Sequence, residues 1–427
     1  MRAVPFLKCL TLAFFSLYAS GIERCSSQVF FREHWAEFDG RVNNNTNPGE
    51  RLRVNDASVS LHETFGKRPE ARANGLQLIQ IPEDLFGIES AGLYLEMWGG
   101  HPETENKRFI LNGKETYRIP EDGVSDGHCA YSYPLIPIKV EQLVTGLNAF
   151  QFACDRGKSF WGHFIIDNMA VRCVLKDDHP DLQASGLSGF SAQVQVDGGR
   201  VLADNATISL LYPERFQTNI VSVEYFGRYS GFDDNGNGLE NDWHGYTHNR
   251  NLTRTIGMSD EPPFKVVWDT WMVPDQGSAM GIRAVVRFAN GIRYETPALD
   301  GLRFPGPRNR VIIFRCTEMP KPFWSRDKNE KKAVLLLPDD ISGVVSARLM
   351  VRIWDGGEGE VREPFKVNGH AYAITSGKAV HDLVFTDVEV RREHLNPGEN
   401  TVILYSDTEH HGIEMLPPGP CLILRFR

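Results

Sequence analysis

Residues 78–113 of this 427-residue chain recur, without a gap, 256 positions later. LIQIPEDLFGIESAGLYLEMWGGHPETENKRFILNG, beginning at Leu78, lies along VLLLPDDISGVVSARLMVRIWDGGEGEVREPFKVNG, beginning at Val334. Pro82/Pro338, Gly87/Gly343, Ala91/Ala347, Trp98/Trp354, Phe109/Phe365 and Asn112/Asn368 are among the identical pairs. At a slightly different offset, LVTGLNAFQFACD from Leu143 matches LNPGENTVILYSD from Leu395. A period this long is a duplicated domain, not a solenoid, whose units run to tens of residues. One copy therefore stands at each end of the chain.

Both copies read as strands. LYLEMW and LMVRIW alternate as half-buried strands do, and FILNGKETY and FKVNGHAYAI pass through Asn-Gly hairpin turns. Each copy closes on an apolar strand, AVRCVL from Ala170 or CLILRF from Cys421, and helical spacing is confined to single turns at VEQLV and RREHL. The segment between the copies has strands at about ten-residue spacing, the pattern of an immunoglobulin-like sandwich. DDHPDLQASG from Asp177 and PGPRNR from Pro305 read as its linkers. The expected division is 28–177, 186–305 and 309–427, after a leader at 1–21.

That leader, MRAVPFLKCLTLAFFSLYASG, has a basic start, an apolar run too short to span a bilayer and a small-residue exit. It predicts export to the periplasm or the extracellular space, and no other stretch is apolar enough for a membrane span. Hydrophobic residues at 41% and charged residues at 24% suit a soluble globular protein. With 46 basic and 55 acidic residues the formal charge is −9, which lacks the basic footprint of nucleic-acid binding. The cysteines form no CxxC pair, so a zinc ribbon is unsupported. In an oxidising compartment Cys316 and Cys421, on the first and last strands of one domain, are the expected disulfide, with buried free thiols as the other reading. Asn44, Asn205 and Asn251 each open an N-x-Thr acceptor.

ARLMVRIWD, VNG and LNPGENTVIL in the third domain, with AGLYLEMWG, LNG and LVTGLNAFQF in the first, resemble galactose-binding-like jelly-roll modules. Such modules are attached to β-galactosidase-type and other polysaccharide-acting proteins. The middle segment, with YSGFDDNGNGLENDWHGY and VVWDTWMVPDQ, resembles Ig-like modules of secreted bacterial proteins. The resemblance implies an all-β protein: two duplicated jelly-roll β-sandwiches flanking an Ig-like sandwich. It carries over no catalytic residue, because the modules are usually non-catalytic.

FDDNGNGLENDWHGYTH, from Phe232 to His248, is the richest candidate site. Asp233, Asn235, Asn237 and Asp242 supply hard oxygen donors, and Gly236 and Gly238 permit the turns that bring oxygens together, which suits Ca²⁺. His244 stands at the twelfth position, where an EF-hand loop needs a bidentate Glu, so an irregular loop is expected instead. A solvated acidic turn is the bland reading. His244 and His248, four apart, and the adjacent His410 and His411 are weak zinc signals without a HExxH frame. Tyr229, Trp243, His244 and Tyr246 are the candidate carbohydrate-binding residues, with Trp268 and Trp271 following; Trp98 and Trp354 read as core. No GxSxG, P-loop or Cys/His nucleophile frame is present in the sequence, and no carboxylate pair is singled out. The expected function is therefore non-catalytic binding of extracellular polysaccharide. The rivals are a polysaccharide lyase or glycosidase, and a structural or adhesion protein of the cell envelope.

Overall fold

The computed structural model describes residues 29–36, 52–55, 75–100, 104–121, 129–156, 162–306, 308–320, 324–355, 365–373, 382–406 and 412–427. The leader, Cys25, Asn44 and the His410-His411 pair lie outside them. The described chain is nearly all strand, with one short α-helix and a few 3-10 turns. Three hydrophobic cores follow one another along it. One is built from Ala36 to Cys173, the next mainly from Leu175 to Leu302, and the last from Ala333 to Leu424.

The duplicated segments pair their strands in the same register. Strand Ile88–Trp98 runs against His163–Leu175 with Leu93 opposite Val171, and Val344–Asp355 runs against Cys421–Phe426 with Leu349 opposite Leu422. A β-bulge interrupts both ladders at the same place, beside Ile88 and beside Val344. In the facing sheets, Phe109 lies opposite Phe152 and Tyr117, as Phe365 lies opposite Leu404 and Tyr372. The polar pins coincide as well. The Asn148 amide accepts from Asn112 and from the Val144 N–H, and donates to the Val144 and Gly146 carbonyls. Asn400 does the same with Asn368, Asn396 and Gly398. Both asparagines are fully buried, so every bond they make satisfies a group shielded from water.

Along each long central strand the two faces divide the labour, since successive side chains point opposite ways. Ala91, Leu93, Leu95 and Met97 fill the first core, and Ala347, Leu349, Val351 and Ile353 the last. The alternate positions, Tyr94, Glu96 and Trp98 or Arg348, Met350, Arg352 and Trp354, face the rest of the molecule. Trp98 and Trp354, the duplicated tryptophans, are buried and stack on one another with ring centroids 6.1 Å apart.

The middle segment is a sandwich. Gln193–Val196, Asn205–Leu211 and Val266–Asp269 form one sheet. Ile220–Ser230 and Met280–Phe288 form the heart of the other. That second sheet does not stop at the segment's edge. Strand Val29–Trp35 pairs with His163–Leu175 on one side and with Arg293–Glu295 on the other, joining the first and middle segments in one continuous sheet. Phe30 accordingly sits in the middle core. The expected linker after Asp177 is also drawn in: Pro180–Ala184 is a helical turn capped by His179, and its Leu182 joins that core.

Cys316 and Cys421 are free thiols. Their strands pair as expected, but Cys421 stands opposite Arg315, so Cys316, one residue on, points to the other face of the sheet.

If the asparagine pins are equivalent, Asn148→Ala and Asn400→Ala will each destabilise the protein, by about 2–4 kcal/mol for several buried polar groups left without partners. Urea unfolding checks this; a loss at one site alone would separate the two networks.

Candidate functional site

The acidic run is the turn of a hairpin. Ile220–Ser230 pairs with Asn241–Trp243, placing Tyr229 opposite Asp242, and residues 231–240 close the loop. Within it the Asp233 carboxylate accepts from the N–H groups of Gly236, Asn237 and Gly238 at 2.7–3.1 Å. Asn235 Oδ1 accepts from the Asn237 N–H, Asn237 Oδ1 from the Leu239 N–H, and Asp242 Oδ2 from both asparagine amides. The donor types suit Ca²⁺; as folded, their oxygens are engaged by N–H groups of the turn itself. Burial raises the Asp233 pKa against the charge of Arg352 and these backbone bonds. Among the described residues no group of three or more His, Cys, Asp and Glu could hold a metal ion.

The neighbouring side chains go to different places. Tyr229 and His244 stack with centroids 3.7 Å apart, and the His244 ring bonds Asp234 Oδ2 at 2.7 Å and the Tyr229 carbonyl at 3.1 Å. Burial works to raise the Asp234 pKa, but the His244 bond and the charges of Arg254, His244 and Arg352 outweigh it and hold the carboxyl below its usual range. Trp243 lies on the opposite side, where Arg228 and Arg283 cover its ring. Tyr246 is buried and stacks on Tyr133 at 4.6 Å in a cluster with Tyr131, Trp98 and Trp354. His248 pairs with Asp382 at 3.1 Å, so the two histidines have separate carboxylate partners.

Tyr229, His244 and Asp234 form part of the wall of a cavity of about 440 Å³ between the middle and third segments. Trp268 and Trp271 line it from the middle segment. Arg348, Met350, Asp387 and Glu389 line it from the outward face of the third. Arg254 crosses the gap, 3.4 Å from Asp234 and 3.6 Å from Asp387, with its guanidinium over the Phe385 ring. Trp268 is buried, whereas Trp271 is 41% exposed with the Arg425 guanidinium 3.4 Å from its ring centre. A concavity of this size, with aromatic walls and a few charged groups, has the make-up of a small-molecule or oligosaccharide site. Trp268 and Trp271 were readable as aromatic candidates. Arg254, Arg348, Asp387 and Glu389 carried no local signal, because distant strands bring them together.

Where all three segments meet, two charges sit at equivalent positions of the duplicated strands. Glu96 accepts from the Thr247 hydroxyl, the Asn168 amide and the backbone N–H groups of Asn249 and Arg250 at 2.6–3.1 Å. Arg352, with no exposed surface, donates to the Tyr131 and Pro417 carbonyls. Gly236, with φ of +72°, lies against it where a Cβ would collide with the guanidinium. Nearby, Glu414 receives a hydrogen bond from the Trp98 indole at 3.3 Å, and burial pushes its pKa up to about 7.

No protein-family model matches the chain, and no curated protein does. Several solved structures are similar to parts of it. A β-porphyranase of glycoside hydrolase family 86 from the human gut bacterium Bacteroides plebeius is 14% identical over 55% of this chain and 36% of its own, with a TM-score of 0.25. Wild-type BuGH86 in complex with neoagarooctaose is 11% identical over 55% and 34%, with a TM-score of 0.24. An exo-β-1,3-galactanase from Phanerochaete chrysosporium with β-1,3-galactotriose is 8% identical over 83% and 79%, with a TM-score of 0.17. The chain spans about a third of the length of the first two. Likeness at such TM-scores carries no argument here, and the all-β fold rests on the strand pairing described above.

The joint has a pH signature. The Asp382 bond raises the His248 pKa against burial, so that pair stabilises the fold below about pH 6.5 and is lost as pH rises through the raised value. Glu414, raised from 4.5 to about 7, contributes fully below 4.5 and its contribution is lost as pH rises through 7. Both run the same way. The melting temperature should fall between pH 5 and 8, and Glu414→Gln should flatten much of that slope; an unchanged slope would assign it to other groups.

Proposed function

We propose that this is an exported, non-catalytic β-sandwich protein that binds carbohydrate in the cleft between its middle and third segments. In this reading 28–177 and 309–427 are the paired jelly-roll domains and 186–305 is the Ig-like domain between them. The observation that carries the proposal is the meeting of Trp268, Trp271 and Tyr229 with Arg and carboxylate side chains around one cavity of about 440 Å³. Aromatic faces stack on the apolar face of a pyranose, and charged groups and amides take its hydroxyls. The exposed indole of Trp271 is the contact surface, with Arg425 fixing its position through the ring and through a hydrogen bond to the Trp271 carbonyl. Tyr229 and His244 support the wall from behind. Among the described residues no helix is long and apolar enough to cross a membrane.

Trp271→Ala should weaken binding of a polysaccharide ligand by about tenfold, a stacking contribution of roughly 1.4 kcal/mol, while moving the melting temperature little. Trp243→Ala, which removes a ring contacted by the Arg228 and Arg283 guanidiniums, should do the reverse. Loss of affinity in the second variant and not the first would overturn the assignment. The rival reading, hydrolysis or lyase chemistry in the same cleft, is separated by assaying bound polysaccharide for new reducing ends or unsaturated products.

Ca²⁺ at Asp233, Asn235, Asn237 and Asp242 belongs to the same proposal, as a ligand that steadies the hairpin turn bordering the cleft. Melting in CaCl₂ against EGTA tests it. A higher melting temperature with calcium, abolished in Asp233→Asn, assigns the ion; identical melting leaves the turn to its own N–H donors.

A further inference from the structure

The charge around the cleft is lopsided, and its pairing makes it more so. Four carboxylates, Asp234, Asp269, Asp387 and Glu389, face two guanidiniums, Arg254 and Arg348. Both guanidiniums already stand beside carboxylates: Arg254 beside Asp234 and Asp387, and Arg348 3.4 Å from Asp387. Asp234 also holds His244. Asp269 and Glu389 are left over. Both are exposed, and among the described residues neither has an ion-pair partner. Asp269 Oδ1 accepts the backbone N–H of Trp271 at 2.9 Å, which ties this carboxylate to the turn that carries the exposed indole. The cleft thus offers a stacking surface edged by unpaired negative charge, and each guanidinium in its wall already stands beside a carboxylate.

We infer that the cleft selects saccharides carrying a free ammonium group, as amino sugars do, over neutral ones, and discriminates against uronic or sulfated saccharides. This rests on the glycan reading above and sharpens it. An ammonium brings three donors and a positive charge to carboxylates that accept only. A second carboxylate or a sulfate brought to the same edge meets like charge, and must share any guanidinium with the carboxylate already beside it. Both carboxylates are solvated, so the preference depends on ionic strength, since screening acts fully on exposed charges.

The test uses the full-length protein on a saccharide array with matched oligomers on glucose and galactose backbones: neutral, with free 2-amino groups, and with uronic acids. At low salt the amino oligomers should bind about three- to tenfold more tightly than the neutral ones, the range expected of exposed ion pairs, with the uronates weakest. Raising the salt should shrink that margin. In the Asp269→Asn/Glu389→Gln double variant, confirmed folded by its melting temperature, the amino-to-neutral ratio should fall toward one. Uronates binding as well as the neutral oligomers, or a ratio unaltered in the double variant, would overturn this inference and leave the glycan reading standing. Absence of binding to any oligomer on either backbone would remove both.

Discussion

Glu96 and Arg352 occupy the same position in two copies of one strand, carry opposite charges, and are both withdrawn from water. A buried charge is tolerated only where hydrogen bonds and counter-charges replace its hydration. Glu96 meets that demand with four donors from the Thr247–Arg250 hairpin and Asn168. Arg352 meets it in part, with carbonyls of the first and third segments taking its terminal nitrogens and the charges of Asp233 and Asp234 of the middle one acting on it. The two outer segments therefore grip the middle one by the same strand face with different chemistry. Removing either charge alone would strand its partners, and the joint depends on both.

The cleft is a by-product of that grip. The outward face of Val344–Asp355 delivers Arg352 and Trp354 to the joint at one end and Arg348 and Met350 to the cavity at the other. Its neighbour Asp382–Glu389 adds Asp387 and Glu389 from the same face. The third-segment wall of the cleft is therefore carried by paired strands, while Trp271 stands on the turn that follows Val266–Asp269, held there by Asp269 and Arg425. In the first segment the corresponding face is spent on Tyr94 and Glu96 contacts to the hairpin.

The period-2 alternation of LYLEMW and LMVRIW made both long strands readable, and the pairing registers follow the duplication through the shared bulge. Trp98 and Trp354 read correctly as core residues, but their contact with each other did not, since alternation tells which face a residue takes and not what covers it. Asn112 and Asn368 read as turn residues. Their bonds to Asn148 and Asn400 join segments more than thirty residues apart, beyond any local pattern. Cys316 and Cys421 show the opposite failure. Strand adjacency was foreseeable, while a one-residue offset in register, invisible in the sequence, turned the thiols to different faces. Of the aromatic-acidic residues, Tyr229 and His244 reach the cleft; Trp243 does not, because a hairpin strand sends successive side chains to opposite sides, and Tyr246, on the next strand beyond Gly245, is buried in the cluster with Trp98 and Trp354 instead.

The Val29–Trp35 strand has edges in two segments, and that shapes how the polypeptide can be made. It leaves the ribosome ahead of both partners, His163–Leu175 and Arg293–Glu295. Its first edge waits for the end of the first segment, and its second for some 120 residues more. Folding domain by domain as the chain emerges, the usual order for long proteins, is thus interrupted at this seam. Until Arg293–Glu295 emerges, the outer edge of Val29–Phe31 keeps its N–H and C=O groups unpaired and open to strands of other chains.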